Sequence, residues 1–294
     1  MKALAIDGGG IRGLIPALVL AEIERRTGRP IATMVDLIAG TSTGGIIACG
    51  LARPNPMPAE RIAAIYEQDG PSIFDRSALK VITSANGYLD ERYDSRGLVA
   101  SLRRHLGDTR LGEATTRLLL TVYDLEGRQA LLLRSDADDD VSMVDAAHAT
   151  SAAPTYFEPV RIGARTLVDG GVFAINPAVF AYTEVRAAPD LLLSLGTGSH
   201  TRRLPYREVK DWGRLEWAEP IIDVVFDGSA DAVDAQLDAL AGDRYIRLQT
   251  LLIQASDDLD DASASNLAAL RREAERLIVA RSDDIDRACA LLTA

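Results

Sequence analysis

Gly40-Thr41-Ser42-Thr43-Gly44 sits between an apolar run, Val35-Asp36-Leu37-Ile38-Ala39, and a segment that turns helical from Thr43 to about Ala52. A serine flanked by glycines at a strand-to-helix turn has the G-x-S-x-G form of a nucleophile elbow. The tight bend lifts the hydroxyl above the sheet edge and sets it at a helix N-terminus, where free amides favour developing negative charge. Gly40 and Gly44 are the residues that let neighbouring backbone pass the serine. The chemistry this implies is nucleophilic attack by Ser42 on a carbonyl.

An attacking serine needs a base and a cradle for the oxyanion. Asp169-Gly170-Gly171 follows the apolar run Thr166-Leu167-Val168, so a carboxylate stands at a strand end, where it can approach a serine raised above a neighbouring strand. By itself an aspartate there also reads as a turn residue bonding its own backbone. Asp7-Gly8-Gly9-Gly10-Ile11-Arg12-Gly13 follows another apolar run, Ala3 to Ile6, and three successive glycines leave amides open to an anion. The same loop matches G-x-G-x-x-G at Gly8, Gly10 and Gly13. A dinucleotide site would require an acidic residue near the end of the next strand, but Asp36 stands at its start and the strand ends in the serine elbow.

The sequence holds three histidines. His105 ends a helix beside Gly107, as a C-terminal cation does, and His148 lies within a helix. Only His200 follows Asp169, so Ser42–Asp169–His200 satisfies the chain order of a triad. His200 sits in the polar stretch Ser199-His200-Thr201-Arg202 and reads as a solvated loop residue. The alternative is a dyad in which Asp169 takes the serine proton directly, which requires a desolvated carboxylate of raised pKa.

Elements that would position these groups alternate along the chain. Helices are expected over Leu14 to Arg26, from Pro58 onward, over Leu98 to His105 and over Val144 to Ala149. Strands are expected at Leu118 to Tyr123 and Ala130 to Leu133, paired around Glu126-Gly127, and at Leu191 to Leu195. Residues from about 70 to 95 look irregular. Beyond Lys210 the signals are helical, with one alternating run, Arg244 to Gln249, as a candidate strand. This order predicts an α/β fold with a largely parallel sheet covered on both faces. The expected organisation is a catalytic domain over 1–210 and a mainly helical part over 211–294 packed on it.

The chain has 294 residues, 47% hydrophobic and 26% charged, enough for a real core. A formal net charge of −11 argues against a broad nucleic-acid footprint and opposes constitutive binding to an anionic membrane. Its two cysteines, Cys49 and Cys289, read as small apolar residues rather than a disulfide. No Cys/His cluster has metal-ligand spacing. Met1-Lys2 leads straight into the first strand without room for a signal peptide, and no stretch approaches the roughly 20 apolar residues of a membrane span. A cytoplasmic protein, peripheral at a membrane when it meets lipid, is the expectation.

Five blocks taken together closely resemble the patatin-like phospholipases: Asp7 to Gly13, Gly40 to Gly45, Ser151-Ala152-Ala153-Pro154-Thr155-Tyr156-Phe157, Asp169 to Gly171, and Ser194-Leu195-Gly196-Thr197-Gly198. They occur in the family's order over about two-thirds of the chain. The resemblance implies a three-layer α/β/α sandwich and a Ser–Asp dyad of Ser42 and Asp169. It also implies an oxyanion hole drawn from Gly8, Gly9 and Gly10 with Arg12 nearby, with Gly170 and Gly171 completing the base motif. It further implies ester hydrolysis on acyl lipids, with no cofactor. Pro154 would close a segment packed near the site. Arg12 would hold the glycine loop or meet a lipid phosphate. Competing readings are an acyltransferase or soluble-ester hydrolase on the same dyad, a non-catalytic module, and a phospholipase effector of antiphage defence switched on by a nucleotide. The last would need an activator pocket built from about 70–95 and 200–215, where Tyr206, Trp212 and Trp217 could stack on a base or enter lipid, or simply pack as core aromatics.

Overall fold

The computed structural model describes residues 1–74, 93–185, 189–199, 204–217 and 220–294. An eight-stranded mixed sheet runs through the molecule. Its strands are β1 (Lys2–Ile6), β2 (Leu37–Gly40), β3 (Arg117–Asp124), β4 (Gln129–Arg134), β5 (Val160–Ile162), β6 (Arg165–Asp169), β7 (Leu191–Leu195) and β8 (Tyr245–Leu248). The order is β5-β6-β3-β2-β1-β7-β8, with β4 also pairing β3. Neighbours from β3 through β2, β1 and β7 to β8 are parallel, whereas β4 and β6 pair β3 antiparallel. The expected strand pair around Glu126-Gly127 is the β3–β4 hairpin.

The central strands are short and almost wholly apolar, as strands buried on both faces must be. Alternate residues go to opposite faces. Leu4, Ile6, Ile38, Leu118, Leu120, Leu193 and Leu195 enter one core with helices α1 (Leu14–Thr27), α2 (Thr43–Ala52), α3 (Ala59–Ile73), α4 (Arg96–Leu106) and α5 (Met143–Thr150). Ala3, Ala5, Leu37, Ala39, Leu119 and Leu192 enter the other, against α7 (Ala178–Glu184) and α10 (Pro220–Ala241). The result is a three-layer α/β/α sandwich. Short helices α6 (Gly171–Ala174), α8 (Tyr206–Val209) and α9 (Arg214–Trp217) connect elements, and α11 (Ala264–Ala280) and α12 (Ser282–Thr293) extend the first helical layer.

The candidate strand at Arg244 to Gln249 is β8, which lies in parallel register beside β7. Residues 70–73, expected to be irregular, complete α3. Most of the stretch expected to be irregular, 75–92, and the triad candidate His200 lie outside the described residues. Both cysteines are free thiols. Among the described residues no helix is long and apolar enough to cross a membrane, and no cluster of three or more His, Cys, Asp or Glu could hold a metal ion.

Candidate active site

One edge of β3 brings Ser42 and Asp169 together. β2 occupies the first half of that edge, with Gly40 opposite Leu120. β6 arrives from the other direction and occupies the second half, with Asp169 opposite Val122. β4 pairs both halves and therefore lies on the opposite edge. The C-terminal ends of β2 and β6 thus meet head to head over Thr121.

Thr121 pins this junction. Its hydroxyl lies 2.7 Å from that of Thr41, which also donates to the carbonyl of Ala174 at 2.7 Å. A side chain at Gly170 would strike Thr121 Oγ1 at 2.2 Å. The carbonyl of Thr121 accepts a hydrogen bond from Thr150 Oγ1 at 2.7 Å, and Thr150 Oγ1 in turn accepts from the amide of Ser42 at 3.0 Å.

Ser42 is the N-cap of α2 and holds φ 55 and ψ −124, a left-handed conformation that costs a non-glycine residue on the order of 1–3 kcal/mol. Both flanking glycines are sterically required. A Cβ at Gly40 would lie 2.4 Å from the Gly44 carbonyl oxygen, and one at Gly44 would lie 2.1 Å from that of Ile6. The Ser42 side chain lies beside the Asp169 carboxylate in the same pocket, close enough to pull its pKa down. Asp169 is 1% exposed, and its Oδ1 also accepts from the Gly171 amide at 2.7 Å. The turn-aspartate geometry and the serine contact therefore coexist in one side chain. Burial pushes the Asp169 carboxyl up to about 7, against the opposing pull of Ser42 and of the Gly171 amide.

The triple-glycine loop divides at Gly8. Gly9 and Gly10 line the same pocket as Ser42 and Asp169, and among the described residues no hydrogen bond occupies either amide. Gly8 does not join them as a donor, because its amide is already committed to the Ile175 carbonyl at 2.9 Å. Its role is close approach: a Cβ there would come within 3.1 Å of Ser42 Cβ. Arg12 is likewise no part of the cradle. Its Nε and Nη1 donate to the carbonyls of Gly9 and Asp257, each at 3.3 Å, and it borders a second, polar cavity with Gly8, Asp7 and Arg247. It is buried as an organiser of the loop, with its pKa lowered by desolvation although Asp223, Asp227 and Asp257 oppose that.

Ser42 opens into an apolar pocket of about 100 Å³ that is partly open to solvent. Ser151, Ala153, Tyr156 and Phe157 contribute one wall and α3 and α4 others. Phe226 and Leu259 reach it from the C-terminal part of the chain, where no motif announced them. Tyr66, also in the wall, hydrogen-bonds the hydroxyl of Thr43 next to the nucleophile. Of the aromatics considered for an activator pocket, Tyr206 is exposed, and Trp212 and Trp217 stack edge-to-face with centroids 5.2 Å apart.

Among the described residues no histidine hydrogen-bonds Ser42, although His105 lines the same pocket. His105 Nε2 lies 2.9 Å from Asp69 Oδ2 rather than capping its own helix as a free cation. His148 is on α5 with its Nε2 buried and without a partner among the described residues, and desolvation lowers its pKa against the pull of Asp145 and Glu158.

A parallel-centred α/β sandwich carrying a serine on a strained elbow beside a buried carboxylate defines the structural class. The patatin-like phospholipase family model matches residues 4–182, and the chain belongs to that family. Patatin-like protein 2 of Arabidopsis thaliana is 33% identical over 94% of this chain and 82% of its own length. A potato (Solanum tuberosum) relative named probable inactive patatin-3-Kuras 1 is 29% identical over 95% of this chain and 86% of its own. The type III effector protein ExoU aligns with a TM-score of 0.44 at 13% identity, over 97% of this chain and 53% of that one.

Proposed function

We propose that the chain is a lipid acyl hydrolase that uses Ser42 as nucleophile and Asp169 as its only side-chain base. The observation that carries this reading is a serine on a strained elbow that shares one pocket with a nearly fully buried carboxylate and sits close enough to perturb it. A carboxyl with an ordinary pKa would be too weak a base at neutral pH, whereas one raised to about 7 matches the task.

In the first half-reaction Asp169 takes the serine proton as Oγ bonds to the ester carbonyl carbon. The amides of Gly9 and Gly10 face the developing oxyanion, and each such donor is worth about 10²–10³ in rate. The tetrahedral species collapses with loss of the alcohol, which receives the proton from Asp169. In the second half Asp169 takes a proton from water as that water attacks the acyl-enzyme. Ser42 then leaves with that proton, the free acid is released, and the site returns to its starting state. The apolar pocket supports an acyl chain rather than a polar substrate.

Treatment with a fluorophosphonate and peptide mass spectrometry, alongside turnover of phospholipids, galactolipids and p-nitrophenyl esters, tests this directly. The expected outcome is a single adduct on Ser42, none in Ser42→Ala, and loss of turnover in both Ser42→Ala and Asp169→Asn. Folded wild type that neither labels nor turns over any ester would refute it. Turnover that begins only when a nucleotide is added would move the chain to the gated class.

A further inference from the structure

The pocket has a length that can be read from α2. Ser42, Ile46 and Gly50 all line it, and four-residue spacing puts them on one helix face. At 1.5 Å per residue, Ser42 and Gly50 stand about 12 Å apart along the axis. The opposite wall is α4, which presents Leu98, Ser101, Leu102 and His105 at helical spacing.

The end away from Ser42 is closed by protein. Arg53, which caps α2, donates to the backbone carbonyl of His105 at 2.7 Å and so joins the C-terminal ends of the two helices. Ile62, Leu102 and Leu106 are buried there. The floor beside Gly50 is set by Met57 Cε and Ile62 Cδ1, each 3.1 Å from where a Cβ would stand. Met57 is itself part-exposed, as are Ile65, Ile73 and Phe74 elsewhere in the lining, so the closure at this end rests on the buried Ile62, Leu102 and Leu106.

A charged clamp holds this end wall. One oxygen of Asp69 on α3, Oδ2, accepts from Ser101 Oγ at 2.6 Å and Arg104 Nη1 at 3.0 Å, and lies 2.9 Å from His105 Nε2, all on α4. Burial raises the Asp69 carboxyl, but the hydrogen bonds from Ser101 and His105 outweigh it and leave the group below the usual carboxylate range. The clamp is therefore ionised at neutral pH, and separating α3 from α4 would strand a half-buried charge.

We propose that Gly50, Met57 and Ile62 form a stop for the acyl chain, which limits the enzyme to medium-length acyl groups of roughly eight to twelve carbons. Asp69 with Ser101 and His105 is a positioning device that keeps α4 from yielding to longer chains. This rests on the acyl-enzyme reading of Ser42. Each methylene added before the stop gains apolar burial and raises kcat/KM by up to about fourfold. A chain that passes the stop must displace packed side chains, and its kcat/KM falls.

The test is a chain-length series of p-nitrophenyl esters from butyrate to stearate, presented in mixed micelles of fixed composition. Wild type is expected to peak between octanoate and dodecanoate and to fall at least tenfold by palmitate. Met57→Ala deepens the floor and moves the peak to longer chains. Gly50→Ala moves it to shorter ones. Asp69→Ala raises the palmitate-to-decanoate ratio at least fivefold, and Asp69→Asn, which keeps an acceptor, recovers part of the wild-type ratio. Met57→Ala and Gly50→Ala leave the clamp intact, so a poorly folded Asp69 variant does not decide the matter. Butyrate hydrolysis with a flat profile to stearate, or a peak that neither floor variant moves, overturns the stop while leaving the hydrolase reading intact. Failure on every ester, with Ser42 unlabelled, overturns both.

Discussion

A carboxyl group enclosed by protein must either find a cation or keep its proton longer, and among the described residues no cation pairs with Asp169. The consequence reaches stability as well as catalysis. Its pKa rises from 3.8 to about 7 on folding, so the folded state binds the proton more tightly than the unfolded chain. The stabilisation this gives is complete below about pH 4 and is lost as pH rises through about 7. Above that, the buried charge destabilises the fold by an amount on the order of 4 kcal/mol at most. Asp169→Asn keeps an acceptor for the Gly171 amide and removes the charge. It is expected to be inactive yet more stable than wild type at pH 8, with the gap closing by pH 4. Urea titrations at the two pH values check this, and an equal gap at both would contradict it. At this scale the sequence was informative about Ser42 and Asp169 because each sits at a strand end beside glycines. It was silent on Thr41, Thr121 and Thr150, whose hydroxyls matter through cross-strand register and not through spacing. It also could not separate Gly8 from Gly9 and Gly10, because that depends on which way one peptide N–H points.

The elements carry the next level of control. The strand ends of β1, β7 and β8 are joined below the glycine loop by Arg247, which pairs with Asp7 at 2.6 and 3.0 Å and donates to Ser194 at 2.9 Å. Asp7 is buried and desolvation still holds its pKa above the ordinary value despite Arg247. Removing one partner leaves the other charge stranded, so Arg247→Met is expected to cost about 3–5 kcal/mol, and the double variant with Asp7→Asn to recover part of it. A urea midpoint shift at constant slope would register the loss, and a single variant as stable as wild type would contradict it. The parallel strands were legible as apolar runs ending in glycine. The arrival of β6 on the same edge of β3 as β2 was not, because periodicity reports neither strand order nor direction. β5 is three residues long, too short for any pattern. A charged residue between Ile246 and Leu248 in an alternating run was the available signal for the Asp7–Arg247 pair.

For the molecule as a whole, charge governs how a lipid surface is met. At −11 the chain is repelled by an anionic bilayer, and the repulsion is screened over about 10 Å at 0.1 M salt. Hydrolysis of phosphatidylcholine vesicles should therefore exceed that of phosphatidylglycerol vesicles at low salt, with the difference shrinking as salt rises. A preference for the anionic vesicle at low salt would point instead to a local basic surface. The sandwich, its family and the line of its sheet were readable from five short blocks. The pocket was not, since Phe226 and Leu259 lie far from those blocks and reach Ser42 only through the fold.

The central claim is that Asp169 itself, without a histidine, takes the proton from Ser42. The most direct measurement is kcat/KM against pH on a soluble ester for wild type, Asp169→Asn and His200→Ala. Wild type should climb with pH and level off above about 7. His200→Ala should follow the same curve within a few-fold, and Asp169→Asn should lose at least about 10³ in rate together with the pH step. A His200→Ala enzyme as inactive as Ser42→Ala, or a pH step that survives in Asp169→Asn, would contradict the dyad.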